Sequence, residues 1–211
     1  MLISGRGSNM ASLIAAAKAP GYPAEIALVL SNRSEAPGLA RAADAGIATA
    51  VVDHKTYPER EAFERALDHE LRAHRVELLC LAGFMRILTP WFIGRWLGRM
   101  LNVHPSLLPL FKGLHTHRRA LDEGVRIHGC TVHFVTPELD SGPIVAQAAV
   151  PVLPSDTEET LRARVLRQEH ALYPLALSLV ASGRVRLRQG RVAVDADWDE
   201  NAALIVPPSP A

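Results

Sequence analysis

The sequence predicts an α/β fold with a doubly wound, mostly parallel sheet and an antiparallel C-terminal extension. Three observations carry this expectation. Short runs that are apolar almost throughout recur along the N-terminal half, at Leu2–Ser4, Ile26–Ser31, Ala48–Val52 and Glu77–Ala82, the pattern of strands covered on both faces. Segments with helical spacing fall between them, at Met10–Lys18, Ala36–Ala45 and Glu59–Ala73. Connections such as Asp44-Ala45-Gly46-Ile47 place glycine where a helix closes in the left-handed conformation. This alternation is the βαβαβ signature of open parallel sheets.

The second half is patterned differently. Arg99–His104 reads as a short strand, Pro105–Gly113 as a loop rich in Pro and Leu, and Thr116–Glu123 as a short helix. His128–Val135 and Ile144–Val150 read as strands joined by the turn-rich segment Thr136–Pro143. A long amphipathic helix spans about Thr157 to Val180, opened by Ser155, Asp156 and Thr157 with Glu158 and Glu159 in its first turn. Val185–Arg188 and Val192–Val194 flank Gly190 as a hairpin, and the Pro-rich tail 206–211 is expected to be disordered. Trp91, Phe92, Ile93, Trp96 and Leu97 form an aromatic stretch with helical spacing, expected to pack on the sheet.

Composition narrows the class of function. With 211 residues, 48% of them apolar and 21% charged, the chain suits one soluble domain. A formal net charge of +1 gives no field for nucleic acid or membrane surfaces, so a charged ligand must be held by local groups. No apolar run is long enough to span a bilayer, no secretory signal is recognisable, and the cytoplasm is the expected location. Cys80 and Cys130 lie inside apolar runs and are expected to be buried reduced thiols. The partners expected are small molecules, with the chain a monomer or homodimer.

Two segments carry chemistry. Ser4-Gly5-Arg6-Gly7-Ser8-Asn9 lies between the first strand and the first helix, where backbone N–H groups can approach an anion. It is not a dinucleotide fingerprint: Met10 occupies the third glycine position, and Ser31-Asn32-Arg33 offers no acid for a ribose diol. A lone phosphate suits it better; the plainer reading is a tight turn with Ser8 or Asn9 capping the helix. In Leu101-Asn102-Val103-His104-Pro105, strand alternation puts Asn102 and His104 on one face at a carboxyl end of the sheet. An amide beside an imidazole suits a reaction that builds negative charge on a carbonyl oxygen. Asp140, in Leu139-Asp140-Ser141-Gly142-Pro143, could orient such an imidazole, or serve only as an Asx-turn residue. The nine histidines, with His115-Thr116-His117 near His104, lack the accompanying ligand motifs of a zinc site, and no metal is expected.

The string Asn102-Val103-His104-Pro105-Ser106-Leu107-Leu108-Pro109, with Leu139-Asp140-Ser141-Gly142-Pro143 following, resembles the folate-dependent formyltransferase family. The resemblance runs from Ile3–Asn9 through Leu81–Leu88 and Gly113–His117 to Gln168–Pro174. It implies a Rossmann-like formyltransferase fold in one domain, 1–211. Within it, 1–100 would form the phosphate- and nucleotide-binding half, and 101–195 the catalytic and folate-binding half. The reaction implied is formyl transfer from 10-formyltetrahydrofolate, as co-substrate, to the amine of glycinamide ribonucleotide in purine biosynthesis. Asn102, His104 and Asp140 would be catalytic; Gly7, Ser8, Asn9 and Glu169 would bind the ribonucleotide. Arg60, Met85, Arg86, Ile87, Leu88, Thr136, Pro137, Glu138 and Leu139 would receive the folate. A hydrolase, in which water replaces the amine, and a non-catalytic nucleotide-binding module are the alternatives. The chain departs from the family in a very short first strand, in Pro137 for a common acid, in Ser141 for a common glycine, and in Leu166 where glutamine is frequent.

Overall fold

The computed structural model describes residues 1–195 and 204; the tail 206–211 lies outside the described residues. Seven strands form one sheet in the order β3-β2-β1-β4-β5-β6-β7. In chain order these are β1 (Leu2–Ile3), β2 (Val29–Ser31), β3 (Thr49–Val51), β4 (Leu79–Leu81), β5 (Met100–His104), β6 (Ile127–Phe134) and β7 (Ile144–Pro151). The helices are α1 (Ser8–Ala17), α2 (Pro37–Asp44), α3 (Arg60–Ala73), α4 (Pro90–Arg95), α5 (Thr116–Asp122) and α6 (Glu158–Ala181). A separate antiparallel hairpin pairs β8 (Val185–Arg188) with β9 (Arg191–Val194). The doubly wound parallel sheet and the antiparallel extension are both present. The chain divides into two compact units: residues 1–102 with 134–137, and residues 103–133 with the remainder.

In the first unit, β1 pairs in parallel with β2 and β4, β2 with β3, and β4 with β5. The observed strands are shorter than the apolar runs. Residues 26–28 precede the first register pair, Leu2 with Leu30, and Leu28 instead accepts a 2.6 Å hydrogen bond from the Met1 amino group. That amine is buried, and burial pushes its pKa down to about 6. β3 is the edge strand of the sheet and shows its side chains partly to solvent, so it is the one N-terminal run without cover on both faces. Leu2, Leu30, Leu67, Leu79, Phe92 and Met100 anchor one buried apolar cluster, and Trp96 joins it from just beyond α4, as the aromatic spacing foretold. Its fully buried members each contribute on the order of 1.5–3 kcal/mol by transfer from water.

Helix ends follow local chemistry. Gly46, at φ 81, closes α2 with Gly46 N–H on Ala43 O and Ile47 N–H on Ala42 O, the left-handed cap that the glycine signalled. Thr157 opens α6 in a reciprocal cap with Thr160. In the second unit β6 and β7 are antiparallel, with an irregularity between Val132 and His133. Cys80 and Cys130 are buried free thiols, and burial pushes Cys130 up to about 12.

Candidate active site

The loop after β5 and the turn between β6 and β7 meet around one imidazole. His104, the last residue of β5, is 5% exposed. Its Nδ1 lies 3.3 Å from Asp140 Oδ2, and its Nε2 lies 2.9 Å from the Phe111 carbonyl. Both ring nitrogens therefore face acceptors. A charge-assisted N–H to carboxylate bond is usually about 2.7–2.9 Å, so the Nδ1 contact is loose while the Nε2 contact is tight.

Asp140 reaches this position because its turn bends back sharply. The residue sits at φ 48, a conformation that aspartate tolerates better than most residues, and its side chain is nearly buried. Its Oδ2 accepts a 2.9 Å bond from Gly113 N–H, which ties the turn to the loop 105–113. Lys112 adds a 2.7 Å bond from Nζ to Ser141 Oγ, and Ser141 Oγ donates to Leu139 O. Ser141, a departure from the family pattern, thus takes part in the stitching between the two segments. Thr131 joins the loop from beneath, accepting from Leu108 N–H and donating to Ser106 O.

A second histidine faces the same carboxylate and was missed by reasoning from sequence: His133 Nε2 is 3.9 Å from Asp140 Oδ1, and the residue is 2% exposed. Its place next to the end of an apolar strand, just before the Asp140 segment, was the available signal.

Behind the loop lies a packed imidazole pair. His117 and His128 meet edge to face at 5.3 Å, and Phe111 sits edge to face on His128 at 5.7 Å. His117 Nδ1 and both nitrogens of His128 are buried without a hydrogen-bond partner. Burial pushes both rings down to about 4, helped for His117 by Arg162 and for His128 by His117. The Pro105 backbone opposes this shift by favouring the charged form of His128. His117 is interior, whereas His115 is exposed at φ 58 where α5 begins.

The other expected residues fall as follows. Asn102 lies on β5, two residues before His104, so strand alternation turns the two side chains to one face. In the first unit, Gly7 precedes α1 at φ 67 and no side chain caps the helix. The plainer of the two readings of this turn, a Ser8 or Asn9 cap, does not hold: the left-handed turn at Gly7 carries both residues into the helix itself. Gly38 presses on this turn, its N–H bonding Gly5 O at 3.0 Å. Met85 and Ile87 are 70% and 66% exposed, whereas the Leu88 side chain belongs to the buried core and is not available to the apolar slot expected of all three. Arg60 is exposed at the first position of α3, and Arg86 is half-buried. Thr136 is half-buried, and Pro137, Glu138 and Leu139 are exposed. Glu169 is buried on α6, where its charge helps to raise Cys130. Among the described residues, no group of three or more His, Cys, Asp or Glu side chains is placed to hold a metal ion. No helix among them is long and apolar enough to cross a membrane.

The chain is similar to known proteins over most of its length. Residues 1–177 match the formyl transferase family. Phosphoribosylglycinamide formyltransferase of Escherichia coli (strain K12) is 48% identical over 195 residues, which cover 92% of each chain. The trifunctional purine biosynthetic protein adenosine-3 of Gallus gallus is 53% identical over 187 residues, 89% of this chain but only 19% of that protein. The crystal structure of glycinamide ribonucleotide transformylase 1 from Symbiobacterium toebii superposes with a TM-score of 0.88 at 47% identity, covering 92% of this chain and 91% of that one.

Proposed function

The chain belongs to the formyl transferase family, and from that premise we propose that it moves the formyl group of 10-formyltetrahydrofolate to the amine of glycinamide ribonucleotide. The products are formylglycinamide ribonucleotide and tetrahydrofolate, in purine biosynthesis. The observation that carries the proposal is the buried His104 ring, set between the Asp140 carboxylate and the Phe111 carbonyl at the end of β5.

The neutral amine attacks the formyl carbon directly. The C–N bond that forms turns the carbonyl into a tetrahedral centre carrying an oxyanion, with no covalent bond to the protein. The Asn102 amide donates to that oxygen. The loosely held Nδ1–H of His104 is the second donor, because at 3.3 Å the carboxylate leaves it open to competition from an oxyanion. The Phe111 carbonyl meanwhile keeps the ring from turning. Asp140 orients the imidazole and takes part, through water, in moving a proton from the attacking nitrogen to the departing folate nitrogen. Collapse of the intermediate breaks the bond to folate N10 and releases tetrahydrofolate.

Gly7, Ser8 and Asn9 hold the ribonucleotide phosphate on the uncapped start of α1, and Glu169 meets its ribose end. Met85 and Ile87 offer exposed apolar surface to the pteridine ring; Arg86 and Leu88 contribute backbone groups, since the Leu88 side chain is committed to the core. Thr136, Pro137, Glu138 and Leu139 also receive the folate, and Arg60 meets its glutamate carboxylate. The chain acts on these small molecules in the cytoplasm. Mixing the protein with 10-formyltetrahydrofolate, with and without glycinamide ribonucleotide, tests the reading. Release of tetrahydrofolate only when the amine is present supports transfer. Release without it makes the chain a hydrolase, and no release in either mixture leaves only a binding role.

A further inference from the structure

The exposed segment Met85–Leu88 is held at both ends by buried polar groups that the reaction itself does not use. At its start, Met85 N–H donates to Ser4 Oγ at 2.8 Å, and Ser4 Oγ in turn donates to Asn32 Oδ1 at 2.6 Å. Ser4 is 6% exposed and also bonds Gly83 O through its own N–H. At its end, both carboxyl oxygens of Glu64 accept from Thr89: Oε1 from the backbone N–H at 2.7 Å, Oε2 from the hydroxyl. Glu64 is completely buried, on α3 between Phe63 and Leu67. An acidic group in such a place is costly unless its oxygens are filled by donors, and here one residue fills both.

Helix capping alone does not account for Glu64. Thr89 already caps α4 by accepting from Phe92 N–H, so the helix has its own terminus without help from a buried acid. What Glu64 adds is a fixed position for the Thr89 backbone. Between the two anchors Leu88 is sunk in the core, while Met85 and Ile87 stand out in solvent. A short piece of chain pinned at its first amide, its last side chain and the residue after it presents its outward groups in one arrangement.

We infer that Ser4 and Glu64 are positioning residues for folate, acting through the two ends of the segment 85–88. The inference rests on the proposed role of that segment in receiving 10-formyltetrahydrofolate.

Its test uses the full chain and steady-state kinetics with each substrate varied in turn. Thr89→Val removes one donor from Glu64, and Thr89→Ser restores it. Thr89→Val should raise KM for 10-formyltetrahydrofolate about three- to tenfold, with kcat and KM for glycinamide ribonucleotide within about twofold of the parent. Thr89→Ser should return KM to the parent value. Glu64→Gln, which keeps one acceptor, should fall between them, and Ser4→Ala should raise folate KM by the same order as Thr89→Val. Variants that melt at lower temperature but keep the parent folate KM would overturn the inference and leave these residues a purely structural role. Ile87→Asp separates the two layers of the argument. If it raises folate KM while the anchoring variants do not, the anchoring inference is wrong; if it leaves folate KM unchanged, the folate role of the segment is wrong and the inference falls with it.

Discussion

Acid should destabilise this protein as pH falls from about 6.5 toward 4, and the His117–His128 pair is a main reason. Both rings are pushed from their ordinary range down to about 4, mainly by burial. Unfolding frees them to titrate near 6.5, so between about pH 6.5 and pH 4 the unfolded chain binds more protons than the folded one. The sign follows directly: stability is complete above the unfolded value and falls as pH drops toward the folded one. At 1.36 kcal/mol per pH unit, the ceiling is about 3 kcal/mol for each ring. Relaxation and partial hydration lower this, and about 3 kcal/mol for the pair is a fair expectation, a large share of the 5–15 kcal/mol typical of a folded domain. The buried Met1 amine acts in a higher window, between pH 8 and about 6, and Asp156, held at about 2 chiefly by Arg164, acts below pH 4. Urea unfolding at pH 6.0 and 4.5, below the window of the amine, therefore reads chiefly the imidazoles, with His170, which burial also lowers, contributing beside the pair. His128→Phe keeps a ring on Phe111 and removes two buried nitrogens that have no partner. It should be neutral or stabilising at pH 7 and should lose only about half as much stability on acidification. If the parent and a His117→Phe/His128→Phe double variant lose equal stability between these pH values, the reasoning is refuted.

Other perturbations test separate parts of the account. A Cβ at Gly38 would lie 2.5 Å from Ile3 Cδ1 and 2.9 Å from Gly5 O, so Gly38→Ala must push on the turn before α1. It should cost about 1–3 kcal/mol of stability and raise KM for glycinamide ribonucleotide more than KM for the folate, both measurable on the purified variant. Ser141→Gly removes the exposed hydrogen bond from Lys112, and its effect on melting should stay below about 1 kcal/mol. Asp140→Asn keeps an oxygen for Gly113 N–H but removes the charge facing His104, so kcat should fall by about a hundredfold or more while the melting temperature changes little.

Much of the fold could be read from residue patterns because buried parallel strands and helix periods leave strong marks. The runs at Glu77–Ala82 and Ala48–Val52 fell on β4 and β3, and Gly46 closed α2 as glycine in that position should. What was illegible depended on partners distant in sequence. Ile26–Leu28 look like strand but fall before the register pairs of β2 with β1 and β3, with the Leu28 carbonyl met by the Met1 amine instead. Ser8 and Asn9 have the chemistry of caps, yet the backbone reversal at Gly7 takes up that position. Composition could not distinguish Asp140 in an Asx turn from Asp140 beside His104; the decision lies in its positive φ and in Gly113, neither visible in spacing. His133 looked like any polar residue in an apolar strand until the Asp140 turn folded back on it. Leu88 and Ile87 are chemically alike, and only the core of the first unit separates the buried side chain from the exposed one.

The central claim is that His104 supplies a proton donor to the oxyanion of formyl transfer. Its most direct test is the turnover of His104→Ala at saturating 10-formyltetrahydrofolate and glycinamide ribonucleotide, measured on protein shown to be folded by its near-native circular dichroism. The account predicts a fall in kcat of about a hundred- to a thousandfold. A folded variant that turns over at close to the parent rate would contradict it.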